Sequence, residues 1–483
     1  MSINISQSFR RHRSILIILA LATLLYLYQL DENSLWIDEF ISIYSSQRLP
    51  EGLGPVRPLY YILLRFWMVF GTGVWWLRGL SVILGVGSVY LTYRLGERVA
   101  GKAVGAAAAV VLACSPLAIN HIQEVRMYAL GNWLSVAGSL FLLDALASRK
   151  AFAIGKWAIA RILAVLTIPL SILLLGPDCL LIGWQLRRQR QALGKFLVGL
   201  GVVCVALFPS AYDMLFKAGP QYVGSWTAEL PKPGLVAVVA KLTSLTAFWP
   251  LSSLSSHLAV RGLYYTYTLA LAVGMAMALM SLKKRKELWP IALWALLPAA
   301  VMLLFSHVFS PIWNGRYLLF LTPYLCILIA AGFSLVWRQR AIAAGLIGLY
   351  ILAVSGGLHY YYTHWDRDNW KAAVAAIEAR VQPDDAIAVS APLPDPKLAV
   401  SYYYQGSAPV YAIDHFVGKI DEATVAQAIE SIPTSSDRLW IVFRGFNGAS
   451  HINRVVTQTV ADQYDVQFQE SFDGPIYLML IDK

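Results

Sequence analysis

Charge is scarce in this chain. Only 14% of its 483 residues are Asp, Glu, Lys or Arg, while 58% are hydrophobic. A soluble protein of this length cannot hide that much apolar surface, and the mean hydropathy of +0.57 agrees. Cysteine is sparse too. Cys114, Cys179, Cys204 and Cys326 lie in or beside apolar runs and read as small hydrophobes, not as a disulfide framework or a thiolate metal site. The eight histidines lack zinc-type spacing, and no nucleophile elbow supports Ser-His-Asp catalysis. Gly96–Ala103 comes close to a P-loop, but Ala103 stands where magnesium binding needs Ser or Thr, and no strand precedes it. There is no low-complexity tract and no internal repeat of the kind an inverted-repeat transporter carries.

What is present is a series of long apolar runs, so the fold class is a polytopic α-helical membrane protein. The net charge of +11 does not indicate nucleic acid, because the basic residues fall in short clusters between apolar runs, where inner loops carry them. Arg10, Arg11 and Arg13 precede an apolar stretch at about 14–30 with no small-residue cleavage site after it, which reads as an anchored first helix with the N-terminus inside. Residues 31–74 then form one long outer loop, since the run at about 58–71 is too short to span and reads as interfacial or re-entrant. Spans follow at about 75–93, 103–119 and 127–146. A helical hairpin over 154–186 is flanked inside by Lys156/Arg161 and Arg187/Arg188/Arg190, and broken by Pro169 and Gly176-Pro177. Further spans fall at about 192–208, 262–281, 288–305, 317–336 and 341–360, about eleven in all. Residues 234–255, with Lys241, fit an outer amphipathic segment. After residue 362 charge becomes frequent and the apolar runs stop. Helical spacing over 368–380 and short strands at Ala386–Ser390, Leu439–Phe443, Tyr464–Phe472 and Ile476–Ile481 predict a soluble α/β domain over 363–483, outside by the same parity. The division is thus a membrane domain over 1–362, including the outer loop, and this soluble domain.

Three polar clusters gather at the predicted outer rim. The first is Trp36–Tyr44, with Asp38 and Glu39 in an otherwise apolar stretch suited to an interfacial helix. Neighbouring helical residues point about 100° apart, so one of the two acids should lead; a solvated loop acid, or a helix-start role for Asp38, is the alternative. The second is Gln123–Tyr128, where Glu124 and Arg126 either pair with each other or offer an anion site at the start of an inward-going helix. The third is Pro311–Tyr317, in which Arg316 opens another such helix, as an anion clamp or a snorkelling cation. Arg57, Tyr60 and Tyr61 stand at the same rim, where tyrosines also serve as interface anchors.

Taken together, Asp38-Glu39, Pro58-Leu59-Tyr60-Tyr61, Leu77-Arg78, Ser115-Pro116 and Gln123-Glu124-x-Arg126-Met127-Tyr128 resemble the bacterial membrane glycosyltransferases of the C-type superfamily. The likeness is to family-39-like enzymes, relatives of the protein O-mannosyltransferases and the lipid A aminoarabinose transferase. Arg316-Tyr317 and the Trp365/Trp370 region fit as well. One departure is visible: many relatives place His before the Pro-Leu-Tyr-Tyr run, where this chain has Val56-Arg57.

The resemblance implies a C-type glycosyltransferase fold in a bacterial inner membrane, with its active site at the extracytoplasmic face. It implies a polyprenyl-monophosphate sugar donor and a lipid, glycan or protein acceptor. Asp38 maps to the family's outer-loop aspartate and Glu124 to its second acidic position; Arg126 and Arg316 take phosphate-binding roles. Tyr60, Tyr61, Tyr128 and Arg57 would line the substrate site. For Glu39 and Glu124 three roles stay open: positioning Asp38, binding the acceptor, or holding a divalent metal. No other cofactor is implied. The rival class is a transporter or flippase of a lipid-linked anionic glycan, which would place charges near mid-span on both halves.

Overall fold

The computed structural model describes residues 5–51, 58–213, 216, 232–247, 258–364, 367–413, 422–433, 438–445 and 450–482. In chain order the helices are α1 (Ile5–Leu27), α2 (Ile37–Gln47), α3 (Pro58–Met68), α4 (Val74–Ala100), α5 (Lys102–Ala113), α6 (Pro116–Ile122), α7 (Tyr128–Ser148), α8 (Ala151–Thr167), α9 (Leu175–Leu186), α10 (Arg190–Tyr212), α11 (Leu235–Ser244) and α12 (Leu258–Ser281). They continue as α13 (Trp289–Val308), α14 (Gly315–Leu318), α15 (Thr322–Phe333), α16 (Arg340–Thr363), α17 (Trp370–Glu378), α18 (Leu398–Ser401), α19 (Glu422–Glu430) and α20 (Ser450–Gln463). The strands are β1 (Ala386–Ser390), β2 (Val410–Ala412), β3 (Arg438–Arg444), β4 (Asp465–Phe472) and β5 (Ile476–Asp482). Internal contacts divide the chain into two compact units: Met1–Tyr28 with Leu53–Thr363, and Gln29–Gly52 with His364–Lys483. The loop read from the sequence as one piece, 31–74, is therefore shared. Helix α2 counts with the C-terminal unit and α3 with the helical one.

In the helical unit, eight helical segments among the described residues are long and apolar enough to cross a membrane, and nine if the bent pair α5 and α6 is one span. Two further expected spans are shorter, α1 (Arg13–Leu27 by its apolar part) and the 17-residue α8. Helix α3 has 11 residues, which at 1.5 Å each falls well short of the roughly 30 Å hydrocarbon layer. The α5–α6 bend of 64° follows from sequence. Pro116 cannot continue the α5 hydrogen-bond ladder, and the Ser115 hydroxyl caps α6 by accepting the Ala118 N–H at 3.2 Å. Expected outer segment 234–255 contains α11; its residues 248–255 lie outside the described ones.

Helix α15 is buried from Thr322 to Gly332, as an all-round apolar helix should be. Small residues let its neighbours approach. A side chain at Gly332 would run into the Gly274 carbonyl of α12, and one at Gly96 would lie 2.8 Å from the Gly105 Cα, which joins α4 to α5. One polar knot holds several helices together. Arg161 of α8 donates to Asp178 of α9 from Nε (2.6 Å) and Nη2 (3.0 Å), to the Ser135 carbonyl (2.9 Å) and to Ser139 Oγ (2.9 Å). Trp157 and Trp294 each donate an indole N–H to Asp178 at 2.7 Å, and Tyr324 donates to the Ser135 carbonyl at 2.9 Å. The sequence reading used Arg161 as a marker of an inner loop. It is instead 0% exposed, like Asp178, because a carboxylate 17 residues away in sequence meets it inside the bundle.

The C-terminal unit is a five-stranded sheet of order β2-β1-β3-β5-β4. β1 runs parallel to β2 and β3, and β5 antiparallel to β3 and β4. β1 is buried throughout, as expected of an apolar strand with both faces covered. Ala386, Ala388, Leu439, Ile441, Met479 and Ile481 pack with Val425, Ile429, Val456 and Val460 of α19 and α20. The four strands read from sequence are present; β2, of three residues, carried no alternation to read.

Candidate functional site

Helix α6 stops at Ile122, and α7 starts at Tyr128. Between them Gln123, Glu124 and Arg126 are buried, at 4%, 1% and 2% exposure. The segment is held from three directions. The Gln123 amide donates to the carbonyls of Tyr26 (2.9 Å) and Tyr28 (2.8 Å) at the end of α1, and its oxygen accepts the Tyr361 hydroxyl of α16. Ser81 of α4 donates to the Glu124 carbonyl at 2.7 Å. His121, one turn back on α6, places Nδ1 3.1 Å from the Glu124 carboxylate, and the Tyr128 ring lies 4.8 Å from the imidazole, centroid to centroid. Arg78 stands one turn before Ser81 on the same face of α4 and is 1% exposed.

Glu124, Arg126 and His121 are thus buried in and beside the segment that leads into the 21-residue α7, with buried Arg78 one turn from Ser81 on α4. Buried charges are costly unless paired or used to bind an ion, and the first N–H groups of a helix favour anions. Buried guanidiniums near a helix start are chemistry that suits a phosphate.

Arg316 lies in the short helix α14, where the Asn314 side chain accepts its N–H at 3.3 Å. Its guanidinium carbon is 5.3 Å from the centre of the Tyr317 ring, and it is half-buried. A side chain at Gly315 would touch Leu117 of α6 at 3.0 Å, so α14 packs on the helix that feeds Gln123–Tyr128. Tyr60 and Tyr61 are interior residues of α3, 0% and 5% exposed, with rings 6.3 Å apart edge to face; α3 packs on α4 and α8. Arg57 and Trp365 lie outside the described residues.

Asp38 and Glu39 belong to the C-terminal unit. Glu39 is 0% exposed, and its carboxylate turns back to accept the Trp36 N–H at 3.3 Å, capping its own helix. Asp38 is half-buried, and its carbonyl accepts the Ser42 hydroxyl at 3.0 Å. Within the same unit Ser34 Oγ donates to the Asp368 carbonyl, and the Leu35 N–H donates to the Tyr403 hydroxyl at 2.7 Å. The Phe40 and Tyr402 rings meet edge to face at 6.0 Å. Asp368 accepts Arg444 Nε at 3.0 and 3.1 Å. Burial pushes the Asp368 carboxyl above its ordinary value, and the adjacent Arg444 offsets this only in part.

Among the described residues no three His, Cys, Asp or Glu side chains come together as a metal site; Glu124 and His121 are a pair of donors, short of a third. Sequence reasoning passed over His121, whose signal was its helical i, i+3 spacing to Glu124, and had no means of finding Asp368 with Arg444. A cleft of about 450 Å³ lined by Arg98, Leu143, Trp184, Lys286 and Pro290 opens elsewhere in the helical unit. Arg98 is almost five turns along α4 from Ser81, roughly 25 Å at 1.5 Å per residue.

No family model matches the chain, and no curated protein matches it in sequence. Solved structures do match it. ArnT from Cupriavidus metallidurans bound to undecaprenyl phosphate aligns over 97% of this chain and 98% of its own, with TM-score 0.59 and 14% identity. The archaeal oligosaccharyltransferase AglB from Archaeoglobus fulgidus, in complex with an inhibitory peptide and a dolichol-phosphate, aligns over 97% of this chain and 74% of its own, with TM-score 0.52 and 12% identity. The Archaeoglobus fulgidus oligosaccharyltransferase in complex with Zn and sulfate gives TM-score 0.53 and 14% identity, over 96% and 72%. At such identities the likeness is one of fold: the chain is a multi-pass membrane protein with the C-type glycosyltransferase fold and a C-terminal α/β unit.

Proposed function

We propose that this protein transfers a sugar from a polyprenyl-monophosphate donor to an acceptor hydroxyl or similar group, at the extracytoplasmic face of a bacterial plasma membrane. The observation that carries this reading is the burial of Glu124, Arg126 and His121 in and beside the segment between α6 and α7, with Arg78 buried one turn from Ser81, which binds that segment, in a fold shared with proteins that hold undecaprenyl phosphate or dolichol-phosphate.

An acceptor hydroxyl is a weak nucleophile. Asp38 acts as the general base and takes its proton as the oxygen attacks C1 of the sugar. The new C1–O bond forms while the bond from C1 to the phosphate oxygen breaks. Its electron pair leaves with the lipid phosphate, and direct displacement inverts the anomeric centre. Negative charge grows on that phosphate as the bond opens. Arg126, with Arg316 as its partner, stabilises the growing charge in a low-dielectric setting more than it stabilises the ground state. Glu124, held by His121, fixes the local geometry. Glu39 serves as the cap of the Asp38 helix.

The transporter reading calls for accessible charge near mid-span. Arg161 with Asp178, a charged pair inside the helical unit, is sealed in hydrogen bonds, which favours transfer over transport.

The test is purified protein with the best donor from a panel of undecaprenyl-phosphate hexoses and pentoses, using membrane extract as acceptor. Asp38→Asn should lose nearly all turnover. Arg126→Ala should lose on the order of 10²–10³ in kcat, by analogy with oxyanion donors. Near-normal turnover by Asp38→Asn removes the base assignment, and an unchanged rate and donor affinity in Arg126→Ala removes the phosphate role.

A further inference from the structure

We propose that the Asp368–Arg444 pair and Tyr403 form a mount for helix α2, through which the C-terminal sheet sets the aim of Asp38 during transfer. This rests on the reading of Asp38 as the base. Asp368, Arg444 and Tyr403 are positioning residues; none of them is assigned contact with substrate.

An 11-residue helix is marginal by itself in water, and α2 begins with N–H groups that need acceptors. The Leu35 N–H, just ahead of the helix, is held by the Tyr403 hydroxyl, the Trp36 N–H by the Glu39 carboxylate, and the Ile37 N–H faces the Asp368 carboxylate. Two of these acceptors come from beyond residue 363. Ser34 adds a bond to the Asp368 carbonyl, and Phe40 rests on Tyr402. Ile37 is the residue immediately before Asp38, so the grip falls beside the acid.

The mount is itself rigid. Arg444 ends β3, whose five central residues are buried, and it grips Asp368 with two contacts. The Asn369 N–H donates to the Asp473 carbonyl at 2.9 Å, and the Gly445 N–H to the Pro475 carbonyl at 2.8 Å. Gly474 adopts φ +81°, and a side chain there would collide with the Asp368 backbone. The carboxyl end of a parallel strand is where open α/β sheets place functional groups. A buried ion pair adds little net stability, but a carboxylate anchored to the sheet and facing the Ile37 N–H controls direction.

The experiment uses the full-length protein in nanodiscs. Asp368→Ala severs the grip on Ile37 and Arg444, Asp368→Asn keeps an oxygen for Ile37, and Tyr403→Phe removes only the hydroxyl that accepts Leu35. Asp385→Asn is the control, since Asp385 is an equally buried carboxylate bound to Arg438 and Trp440 in the same unit. Turnover, donor KM and hydrogen exchange of peptides covering 35–44 are measured for each. Displacement of a reacting group by about 1 Å costs around 10²-fold. Asp368→Ala should therefore lower kcat about 10- to 100-fold with donor KM within about 3-fold, and Asp368→Asn should recover part of that rate. Exchange over 35–44 should accelerate in Asp368→Ala and Tyr403→Phe but not in Asp385→Asn. The double variant Asp38→Asn/Asp368→Ala should be no slower than Asp38→Asn. Multiplying losses in the double variant, unchanged exchange over 35–44, or an equal kcat loss in Asp385→Asn overturns the mount. If Asp368→Ala does not fold, Tyr403→Phe and Asp368→Asn decide it by the same readouts. Full activity of Asp38→Asn would instead overturn the base assignment, and the mount's catalytic purpose with it; an inactive Asp38→Asn beside a fully active Asp368→Ala removes the mount alone.

Discussion

In the helical unit Arg161 and Asp178 are both 0% exposed, and their remaining hydrogen-bonding capacity is taken up by Ser135, Ser139, Trp157 and Trp294. In the C-terminal unit Asp368 is 2% exposed and Arg444 keeps an edge at 16%, while the same aspartate residue also engages Ser34 and faces Ile37. The sealed pair closes on its own surroundings, tying helices that are all part of one bundle. The second pair grips a helix over three hundred residues distant in sequence. An Arg–Asp pair therefore has no fixed meaning. What surrounds it decides whether it is a lock or a handle.

The comparison can be broken most strongly at the sealed pair. Asp178→Ala leaves Arg161 without its counter-charge in a dry bundle and should cost about 3–5 kcal/mol. The readout is a large drop in melting temperature and in yield from membranes. Arg161→Met combined with Asp178→Leu should recover most of that loss, because apolar replacement of a whole buried pair is close to neutral. Failure to recover would mean that the pair does more than lock helices. Asp385→Asn comes next. It releases Arg438 and Trp440, and should lower stability by about 2–3 kcal/mol with turnover at folding temperatures unchanged.

A pH series sharpens the contrast further. Burial pushes the Asp385 carboxyl up, but hydrogen bonds from Arg438, the Gln382 N–H and Trp440 outweigh it and leave the group below its ordinary value. Its contribution is present above the ordinary carboxylate pKa of about 3.9 and lost as pH falls through the folded value. Asp368 is raised, so its contribution is present below the ordinary value and lost as pH rises through the folded one. Melting curves taken from below to above the ordinary carboxylate pKa of about 3.9 should show opposite trends. The stability gap between wild type and Asp385→Asn widens with pH, while the gap between wild type and Asp368→Asn narrows. Parallel trends would contradict the assignments. The smallest effect belongs to Glu39→Gln, which keeps an acceptor for the Trp36 N–H and should change helix stability by less than about 1 kcal/mol and kcat by less than tenfold. A larger fall in kcat would return Glu39 to the chemistry.

The membrane architecture was legible because apolar runs report their own partner, the lipid. The strands β1, β3, β4 and β5 were legible because their alternation or uniform apolarity is local. The span expected at about 103–119 ran straight through Pro116, where the structure bends by 64° between α5 and α6, because proline interrupts the helix ladder. Arg161 misled, because charge counting assigns a cation to a loop without asking whether Asp178, in a different apolar run, will meet it. The 31–74 loop was read as one piece because topology depends on crossings, whereas the boundary near residue 52 depends on what each half packs against. Asp38, Glu124 and Arg126 stood out as rare charges in an apolar chain, and the structure buries Glu124 and Arg126 in one segment, with His121 at the Glu124 carboxylate. Asp368 and Arg444, 76 residues apart, look in sequence like any charges of a soluble domain; only tertiary contact marks them.

The bond from Ser34 to Asp368 spans 334 positions. A ribosome therefore releases the acid helix long before it makes the strand that ends in Arg444. Every nascent or truncated chain that stops short of β3 holds its acid without the support that would aim it. With the mount as inferred, the order of synthesis is a safeguard: an unfinished chain already embedded in lipid spends activated sugar only slowly until its C-terminal sheet has folded.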